Sequence, residues 1–383
     1  MKHIFIVGSK GIPAKYGGFE TFVENLTAHR KSPEIIYHVS CMSDNRGNFL
    51  HNNAECFNVK VPVSGPIGRI LHVSLALKEV EKWKLAHPKE EAGVYILGCR
   101  IGPLIAGHTR KLHKLGMTIF CNPDGLEWRR DKWNALEKKI LRFCEACLVK
   151  YSDEVICDSE NIERYIEETY PSKVEHTVFI AYGAEVQPSL CDEEKLLKWY
   201  EKYSIKKSEY YLIVGRFVPE NNYEIMIREF VKSTVSKDLV IITNVEKGKF
   251  YDRLEEQTGF EKDSRIKFVG TVYDQELLKK IRENAYGYLH GHEVGGTNPS
   301  LLEALASTRL NLLLDVGFNR EVAEESALYW TKEYGDLRKL ISFVEDMDQK
   351  EIDRLGVEAK RRIRDRYSWD SIVEKYEKVW KAI

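Results

Sequence analysis

The chain has 383 residues, 43% of them hydrophobic, which is enough for two domains with separate cores. Its formal net charge is −1 with 31% charged residues, and this balance argues against nucleic acid as the main partner. The apolar stretch near Met1 is too short for a signal peptide, and the sequence has no apolar run of bilayer-spanning length, so we expect a cytoplasmic protein.

The 8 cysteines are scattered through apolar stretches, and we interpret them as reduced thiols. Cys144 and Cys147 form a C-x-x-C pattern without a second pair, which favours packing over metal binding. We therefore expect neither a metal nor another cofactor.

Short apolar runs rich in Val, Ile and Tyr alternate with amphipathic helical segments, which predicts an α/β fold with parallel sheets. The first half has predicted strands at residues 4–7, 35–39, 94–97, 119–121, 155–157 and 178–181. The second half has them at 211–214, 240–243, 266–269, 286–290 and 310–314. The repeat predicts two Rossmann-like, doubly wound domains, residues 1–190 and 191–365, whose carboxyl edges face a cleft. The spacing of aromatic and apolar residues in 366–383 predicts an amphipathic helix that packs back toward the N-terminal domain.

Two glycines precede the first predicted helix. Gly17 and Gly18 come directly before apolar residues with helical spacing, so they lie at a helix start. Free N–H groups at such a start attract anions, which makes this turn a candidate phosphate contact.

The strand at 119–121 leads into a turn that contains Asp124. Its carboxylate can orient a hydroxyl, take its proton or stabilise positive charge, or it can simply serve the turn, for which this composition is common. A basic stretch with Trp128 and Trp133 surrounds it, and this is either a solvated helix face or a membrane-binding surface. Its cations are Arg110, Lys111, Lys114, Arg129, Arg130, Lys132, Lys138, Lys139 and Arg142.

The first strand of the second half ends in Gly215 and Arg216, before a helix with one apolar face. The guanidinium of Arg216 has a geometry suited to a diphosphate. Further along, Tyr273 follows another strand, where its ring either stacks on a ligand ring or covers a core edge.

Residues 290–306 combine a glycine loop with a helix start. Asn298 can cap the helix and Pro299 suits its first position, so N–H groups near Gly295, Gly296 and Thr297 would meet an anion or a sugar hydroxyl. Glu303 lies about one turn into the helix, where it could bind a ribose. His290 and His292 either contact a bound ligand or satisfy neighbouring backbone groups.

Together these features resemble the family-four retaining glycosyltransferases of the GT-B architecture, over essentially the whole chain. Residues 11–21, 124–133 and 295–300 look like those of bacterial β-1,4-L-rhamnosyltransferases of capsule and cell-wall synthesis. The resemblance implies metal-independent transfer of L-rhamnose from dTDP-L-rhamnose to a polyprenyl-diphosphate-linked glucose, the second step of a capsular repeat unit.

The resemblance also implies residue roles. Donor phosphates would meet Gly17, Gly18 and Arg216, and Glu303 would hold the ribose. Asp124 stands where relatives have a histidine near the reacting centre, which makes Asp124 and Arg216 the catalytic candidates. Acceptor-side residues would be Glu127, Trp128 and Arg129, and donor-side residues would include Asn221, Tyr273, His290, Gly295, Gly296, Thr297 and Asn298.

The chain departs from the family pattern at two positions. Asn221 stands where a second diphosphate-binding lysine is usual, which predicts a weaker or rearranged contact with the diphosphate. Gly295 occupies the position of the first of two paired glutamates, and Glu293, the nearest acid, comes two residues early. Backbone N–H groups of residues 295–297 would then replace that side chain.

A lipid-linked acceptor implies peripheral association of the N-terminal domain with the inner face of the membrane. The main alternative is a glycosyltransferase that uses UDP-glucose or UDP-N-acetylglucosamine. A non-catalytic carbohydrate-binding protein is an alternative of another class, but it would not need Arg216 and Glu303. A nicotinamide dehydrogenase is disfavoured because the sequence after the first strand lacks G-x-G-x-x-G.

Overall fold

The computed structural model describes residues 1–15, 17–130, 132–245 and 247–383, and the chain divides into two compact units. The first unit is Met1–Gly183 together with Trp369–Ile383, and the second is Ala184–Ser368. The sequence analysis placed the domain boundaries after residues 190 and 365 instead. Tyr16 and Asp131, which belong to two motifs of the resemblance, lie outside the described residues.

The strands of the first unit are β1 Lys2–Val7, β2 Ile35–Ser43, β3 Asn48–His51, β4 Ala54–Lys60, β5 Glu91–Leu97, β6 Thr118–Asn122, β7 Glu154–Cys157 and β8 Thr177–Phe179. Its helices are α1 Gly18–Ala28, α2 Gly65–Ala86, α3 Ile105–Lys114, α4 Ala135–Lys150, α5 Glu160–Thr169 and, from the chain end, α14 Trp369–Lys381. Within the described residues, the strands form one sheet in the order β3-β4-β2-β1-β5-β6-β7-β8. Strand β3 runs antiparallel to β4, and the other pairings are parallel.

The central strands of this sheet are apolar on both faces because helices cover both sides. Strand β5 is buried from its second residue to its last, which fits its uninterrupted apolar sequence. Strands β3 and β4 were not predicted from the sequence. Strand β3 is largely exposed at the sheet edge and carries no apolar alternation.

Helix α14 completes the core of the first unit. Tyr376 and Trp380 are fully buried, and the Tyr376 hydroxyl lies 3.1 Å from that of Tyr95 on β5. The buried carboxylate of Glu377 accepts hydrogen bonds from the backbone N–H groups of Lys31 and Ser32 at 2.7 and 3.0 Å. The predicted C-terminal helix thus exists and is held by aromatic packing and by charge-assisted hydrogen bonds to the loop after α1.

The second unit contains β9 Tyr210–Val214, β10 Asp238–Ile242, β11 Ile266–Gly270, β12 Gly287–His290, β13 Asn311–Leu314 and β14 Leu328–Trp330. Its helices are α6 Glu193–Tyr203, α7 Tyr223–Val231, α8 Lys249–Thr258, α9 Gln275–Glu283, α10 Pro299–Ser307, α11 Gly317–Ala323, α12 Asp336–Glu345 and α13 Gln349–Arg366. In the described part of this unit, the sheet order is β11-β10-β9-β12-β13-β14 and the pairings are parallel. The predicted α/β class with Rossmann-like sheets is confirmed.

The strand order of the second unit reverses between β9 and β12. The chain builds β9, β10 and β11 outward in one direction, then returns to place β12 on the other side of β9. Ligands of doubly wound sheets bind at the carboxyl ends of the strands that flank such a reversal. This topology directs attention to residues 215–222, which follow β9, and residues 291–298, which follow β12.

Candidate functional site

The segment after β9 presents an unpaired cation. Arg216 is exposed, and within the described ranges no carboxylate lies within ion-pair distance of its guanidinium. An exposed guanidinium at the carboxyl end of a strand is available to a diphosphate.

Asn221 joins the two segments that follow β9 and β12. Its side-chain N–H donates to the Arg216 carbonyl at 2.7 Å, and its Oδ1 lies 2.8 Å from Nδ1 of His292. Because Oδ1 can only accept, Nδ1 of His292 carries the proton. Asn221 therefore fixes the backbone beside Arg216, a different task from that of the lysine usual at this position.

The two segments approach each other closely at Gly291. A Cβ built there would lie 2.4 Å from the carbonyl oxygen of Asn221, and Asn222 donates to the Gly291 carbonyl at 2.7 Å. A larger residue would force the segments apart, so this glycine sets their spacing.

The histidines at and just after the end of β12, His290 and His292, are both buried. Burial lowers the pKa of His290 to about 3, so its ring is neutral near pH 7, and its Nε2 has no hydrogen-bond partner in the described structure. His290 stacks beside Tyr288 at 5.9 Å between ring centroids. A neutral imidazole can orient a hydroxyl but adds no positive charge toward a phosphate.

The start of α10 has the predicted cap. Asn298 accepts from the backbone N–H groups of Ser300 and Leu301 at 2.9 and 3.3 Å, and Pro299 opens the helix. The cap thereby satisfies two N–H groups of the first helical turn, as the sequence analysis expected. Among described residues, the N–H groups of Gly295 and Gly296 have no acceptor, so they remain the available donors in this loop.

Glu303 lies on α10 and is held by an arginine that the sequence analysis did not single out. Nη2 of Arg282, on α9, lies 2.6 Å from Oε2 of Glu303 and 3.4 Å from the Ser300 hydroxyl. Arg282 is only 3% exposed. Its position in the charged segment KKIRE gives the pattern of a solvated helix face, so the sequence carried no signal of this role.

The structure places three other predicted site residues, Glu293, Tyr273 and Thr297, in different surroundings. Glu293 forms an ion pair with Lys332, and its backbone N–H donates to the Glu220 carbonyl at 3.2 Å. Glu220 is buried, and its Oε2 lacks a partner within the described residues. Tyr273 is 72% exposed, so its ring is open to solvent rather than packed on a core edge. Thr297 is buried beside the glycine loop.

The glycine turn of the first unit contains an acidic group. Gly17 has φ of 132°, and Glu20 of α1 folds back so that its Oε1 accepts from the Lys10 N–H at 2.6 Å. A Cβ at Gly17 would lie 1.9 Å from the other oxygen of Glu20, whereas a Cβ at Gly18 would meet nothing. An anion at this helix start would have to displace the Glu20 carboxylate, a feature that the sequence analysis missed.

Asp124 follows β6 and has a left-handed backbone with φ of 63°. Its N–H donates to Oδ1 of the buried Asn122 at 2.8 Å, and its own Oδ1 accepts from the Gly125 N–H at 2.9 Å. One carboxylate oxygen thus serves the turn, and the group remains only partly buried.

Glu127, Trp128 and Arg129 form a short 3₁₀ turn. Burial works to raise the pKa of Glu127, but the charges of Arg130 and Lys132 outweigh it and lower that pKa. Both cations lie 2.7 Å from its carboxylate. The Trp128 indole donates to the Tyr165 hydroxyl at 3.3 Å and packs against the guanidinium groups of Arg129 and Arg142.

Helix α4 exposes an apolar stripe that the sequence analysis also missed. Leu136, Ile140 and Phe143 lie on one face and are 67%, 52% and 58% exposed. Lys139 and Arg142 are exposed beside them. The stripe resembles an ordinary buried helix face in the sequence, so only the structure reveals that nothing in the first unit covers it.

The described residues contain neither a metal-binding cluster nor a membrane-spanning helix. No cluster of three or more His, Cys, Asp or Glu side chains there could hold a metal ion. No helix among those residues combines the length and apolar character needed to cross a membrane.

Comparison with known proteins gives one family match and many structural ones. A family model described as a domain of unknown function (DUF1972) matches residues 1–185, and no curated protein sequence matches the chain. Sucrose-phosphate synthase from Thermosynechococcus elongatus is similar in structure, with a TM-score of 0.77 and 14% identity over 100% of this chain and 98% of that one.

Two further structures agree over their whole length. HepE of Anabaena, solved with UDP, has a TM-score of 0.74 at 14% identity, covering 100% of both chains. A glycosyltransferase from Rickettsia africae also has a TM-score of 0.74, at 12% identity, covering 100% of this chain and 98% of that one. The chain therefore has the GT-B fold, with the two Rossmann-like α/β units of these glycosyltransferases.

Proposed function

We propose that this chain is a retaining glycosyltransferase that moves L-rhamnose from dTDP-L-rhamnose to a polyprenyl-diphosphate-linked glucose in capsule or cell-wall synthesis. The observation that carries the proposal is a set of three features at the strand-order reversal of the second unit. These are the unpaired guanidinium of Arg216, the open N–H groups of Gly295 and Gly296, and the carboxylate of Glu303.

The three features divide the recognition of a nucleotide sugar among them. Arg216 supplies charge to the diphosphate, and the amides of Gly295 and Gly296 meet phosphate oxygens or sugar hydroxyls. Glu303 accepts hydrogen bonds from the ribose, and the exposed ring of Tyr273 stacks on the base. Gly17 and Gly18 keep their sequence-based assignment as donor phosphate contacts within this proposal.

Chemistry follows from stabilising the leaving group. As the bond between the anomeric carbon and the diphosphate oxygen breaks, negative charge grows on the diphosphate, and Arg216 and the loop amides stabilise it. The acceptor oxygen bonds to the same face of the sugar, and its proton goes to the departing phosphate oxygen. Asp124 orients the acceptor hydroxyl through the carboxylate oxygen that its own turn does not use.

A second donor class has support of its own. HepE of Anabaena was solved with UDP and with UDP-glucose, at TM-scores of 0.74 and 0.73 to this chain. UDP-glucose or UDP-N-acetylglucosamine is therefore the alternative donor, used by the same residues of the second unit.

Peripheral membrane binding is the remaining part of the proposal, and the α4 stripe supports it. Exposed apolar side chains flanked by Lys139 and Arg142 suit the boundary between anionic headgroups and acyl chains. Leu104, 51% exposed, ends the 3₁₀ turn Cys99–Leu104, which packs against α4. A surface of this kind would hold the enzyme where a lipid-linked acceptor resides.

The deciding experiment is a donor panel with polyprenyl-diphosphate-glucose and a chelator, analysed by mass spectrometry. We expect a product one deoxyhexose larger with dTDP-L-rhamnose. Transfer from a UDP-hexose but not from dTDP-L-rhamnose would overturn the donor assignment in favour of the alternative. No transfer from any donor, with nucleotide sugars still bound, would favour a carbohydrate-binding protein.

A further inference from the structure

The ion pair between Arg282 and Glu303 bears on which nucleotides the site accepts. A carboxylate that binds both hydroxyls of a ribose uses acceptor sites on its two oxygens. Oε2 of Glu303 lies 2.6 Å from Nη2 of Arg282 in an ion pair, so a hydroxyl that bound Oε2 would have to share that oxygen with a buried guanidinium. Oε1, the other oxygen, accepts no hydrogen bond from the described residues, so it is the oxygen more open to a ligand.

Arg282 is held firmly in this position. The Arg282 side chain is 4% exposed, whereas the Glu303 side chain is 35% exposed, so the pair presents mainly its carboxylate side to solvent. The Arg282 carbonyl accepts from the Thr308 hydroxyl at 3.0 Å, which ties α9 to the end of α10. A buried guanidinium without its counterion is costly, so a ligand hydroxyl does not readily displace it from Oε2.

The same array links Glu303 to the strand that carries Arg216. The Ser300 hydroxyl, 3.4 Å from Arg282, donates to the Val214 carbonyl at 3.1 Å, and the Tyr288 hydroxyl donates to that carbonyl at the same distance. Val214 is the last residue of β9, two positions before Arg216. The Glu303 carboxylate therefore has a fixed orientation relative to Arg216, the cation that we assign to the diphosphate.

We infer that Arg282 positions Glu303 so that it binds one ribose hydroxyl rather than two, and that the site accepts 2′-deoxyribose nucleotides as readily as ribose nucleotides. The inference rests on the proposed function, because it assigns the ribose to Glu303. It adds a specificity-determining residue that acts through Glu303 without touching the nucleotide.

The test compares UDP with 2′-deoxyuridine diphosphate, which differ only in the 2′-hydroxyl, by isothermal titration calorimetry on the full chain. For the wild type we expect affinities within about threefold, because a hydrogen bond from a 2′-hydroxyl to a charged acceptor would be worth about tenfold or more. In Arg282→Met, which frees Oε2, the preference for UDP should rise to about tenfold.

Two variants separate positioning from general structure. Arg282→Lys keeps a cation beside Oε2 and should restore the wild-type ratio. Arg354→Met removes a guanidinium from an exposed pair with Glu351 on α13 and should leave the ratio unchanged. Glu303→Gln, rather than Glu303→Ala, reports the loss of the carboxylate, because the amide still gives Arg282 an acceptor.

The outcomes distinguish the inference from the proposed function. A wild-type preference for UDP of about tenfold or more would overturn the inference while leaving a nucleotide site in place. If neither nucleotide bound, the proposed function would fall, and the inference with it. The wild-type comparison stands even if Arg282→Met does not fold.

Discussion

The availability of Arg216 to a ligand depends on whether a protein carboxylate already pairs with its guanidinium. Its neighbours along the fold, Arg228 and Arg282, form ion pairs with glutamates, whereas Arg216 has no carboxylate partner in the described ranges. An unpaired exposed guanidinium gives up little when a ligand arrives, since no protein ion pair must break first. Asn221 contributes by fixing the Arg216 backbone instead of adding a second charge.

We expect Arg216→Met to weaken UDP binding by about 10- to 100-fold, the range for losing charge-assisted hydrogen bonds to a diphosphate. Calorimetry would measure the affinity. The melting temperature should stay within experimental error of the wild type because Arg216 is exposed and unpaired.

Arg354→Met is the matched control, since it removes an exposed arginine far along the chain on α13. Equal UDP affinity in both variants would refute the assignment of the diphosphate to Arg216.

At the scale of elements, α4 combines two tasks on opposite faces. Cys144, Glu145, Leu148 and Val149 are buried against the first unit, and Asn134 forms a capping box with Glu137 at the helix start. The opposite face carries the exposed stripe of Leu136, Ile140 and Phe143. A well-capped helix keeps such a stripe ordered in water, which favours a binding surface over a helix end that frays.

We expect Phe143→Glu to reduce sedimentation of the protein with vesicles that contain anionic phosphatidylglycerol, by about tenfold or more in partition coefficient. A charged side chain in the stripe would lose apolar contact with the acyl region and be repelled by the headgroups. Vesicle co-sedimentation at low salt provides the measurement.

Phe343→Glu provides a control at equal exposure, because Phe343 on α12 is 59% exposed and lies in the second unit. Indistinguishable vesicle binding by the two variants, or binding that ignores anionic lipid, would exclude this face as the membrane contact.

At the scale of the whole molecule, the last helix belongs to the unit that the chain left about 185 residues earlier, since Ala184–Ser368 intervenes before Trp369. The Trp380 ring packs edge-on against Phe120 at 4.9 Å and near Tyr95 at 5.4 Å, so α14 covers two central strands. The first unit is thus incomplete until the chain end has been added.

We expect Trp380→Ala to lower the free energy of unfolding of the first unit by about 3–5 kcal/mol, the usual cost of truncating a fully buried aromatic side chain. Urea unfolding followed by circular dichroism would measure it, with the exposed Lys381→Ala as control. Wild-type stability would show that α14 contributes little to this core.

The sequence by itself determined the fold class, most strands, the cap at Asn298 and the helix of α14, because these follow from local periodicity and capping chemistry. It missed β3, β4 and β14. Strands β3 and β14 are short and lie at sheet edges, where burial imposes a weaker pattern, and β4 pairs with the exposed edge strand β3 and is buried irregularly along its length. Only the tertiary structure decided which charges are paired. Arg282 with Glu303, Glu20 at the Gly17 turn and the exposed face of α4 depend on contacts between distant residues, and a one-dimensional pattern does not record whether a charged or apolar side chain finds a partner.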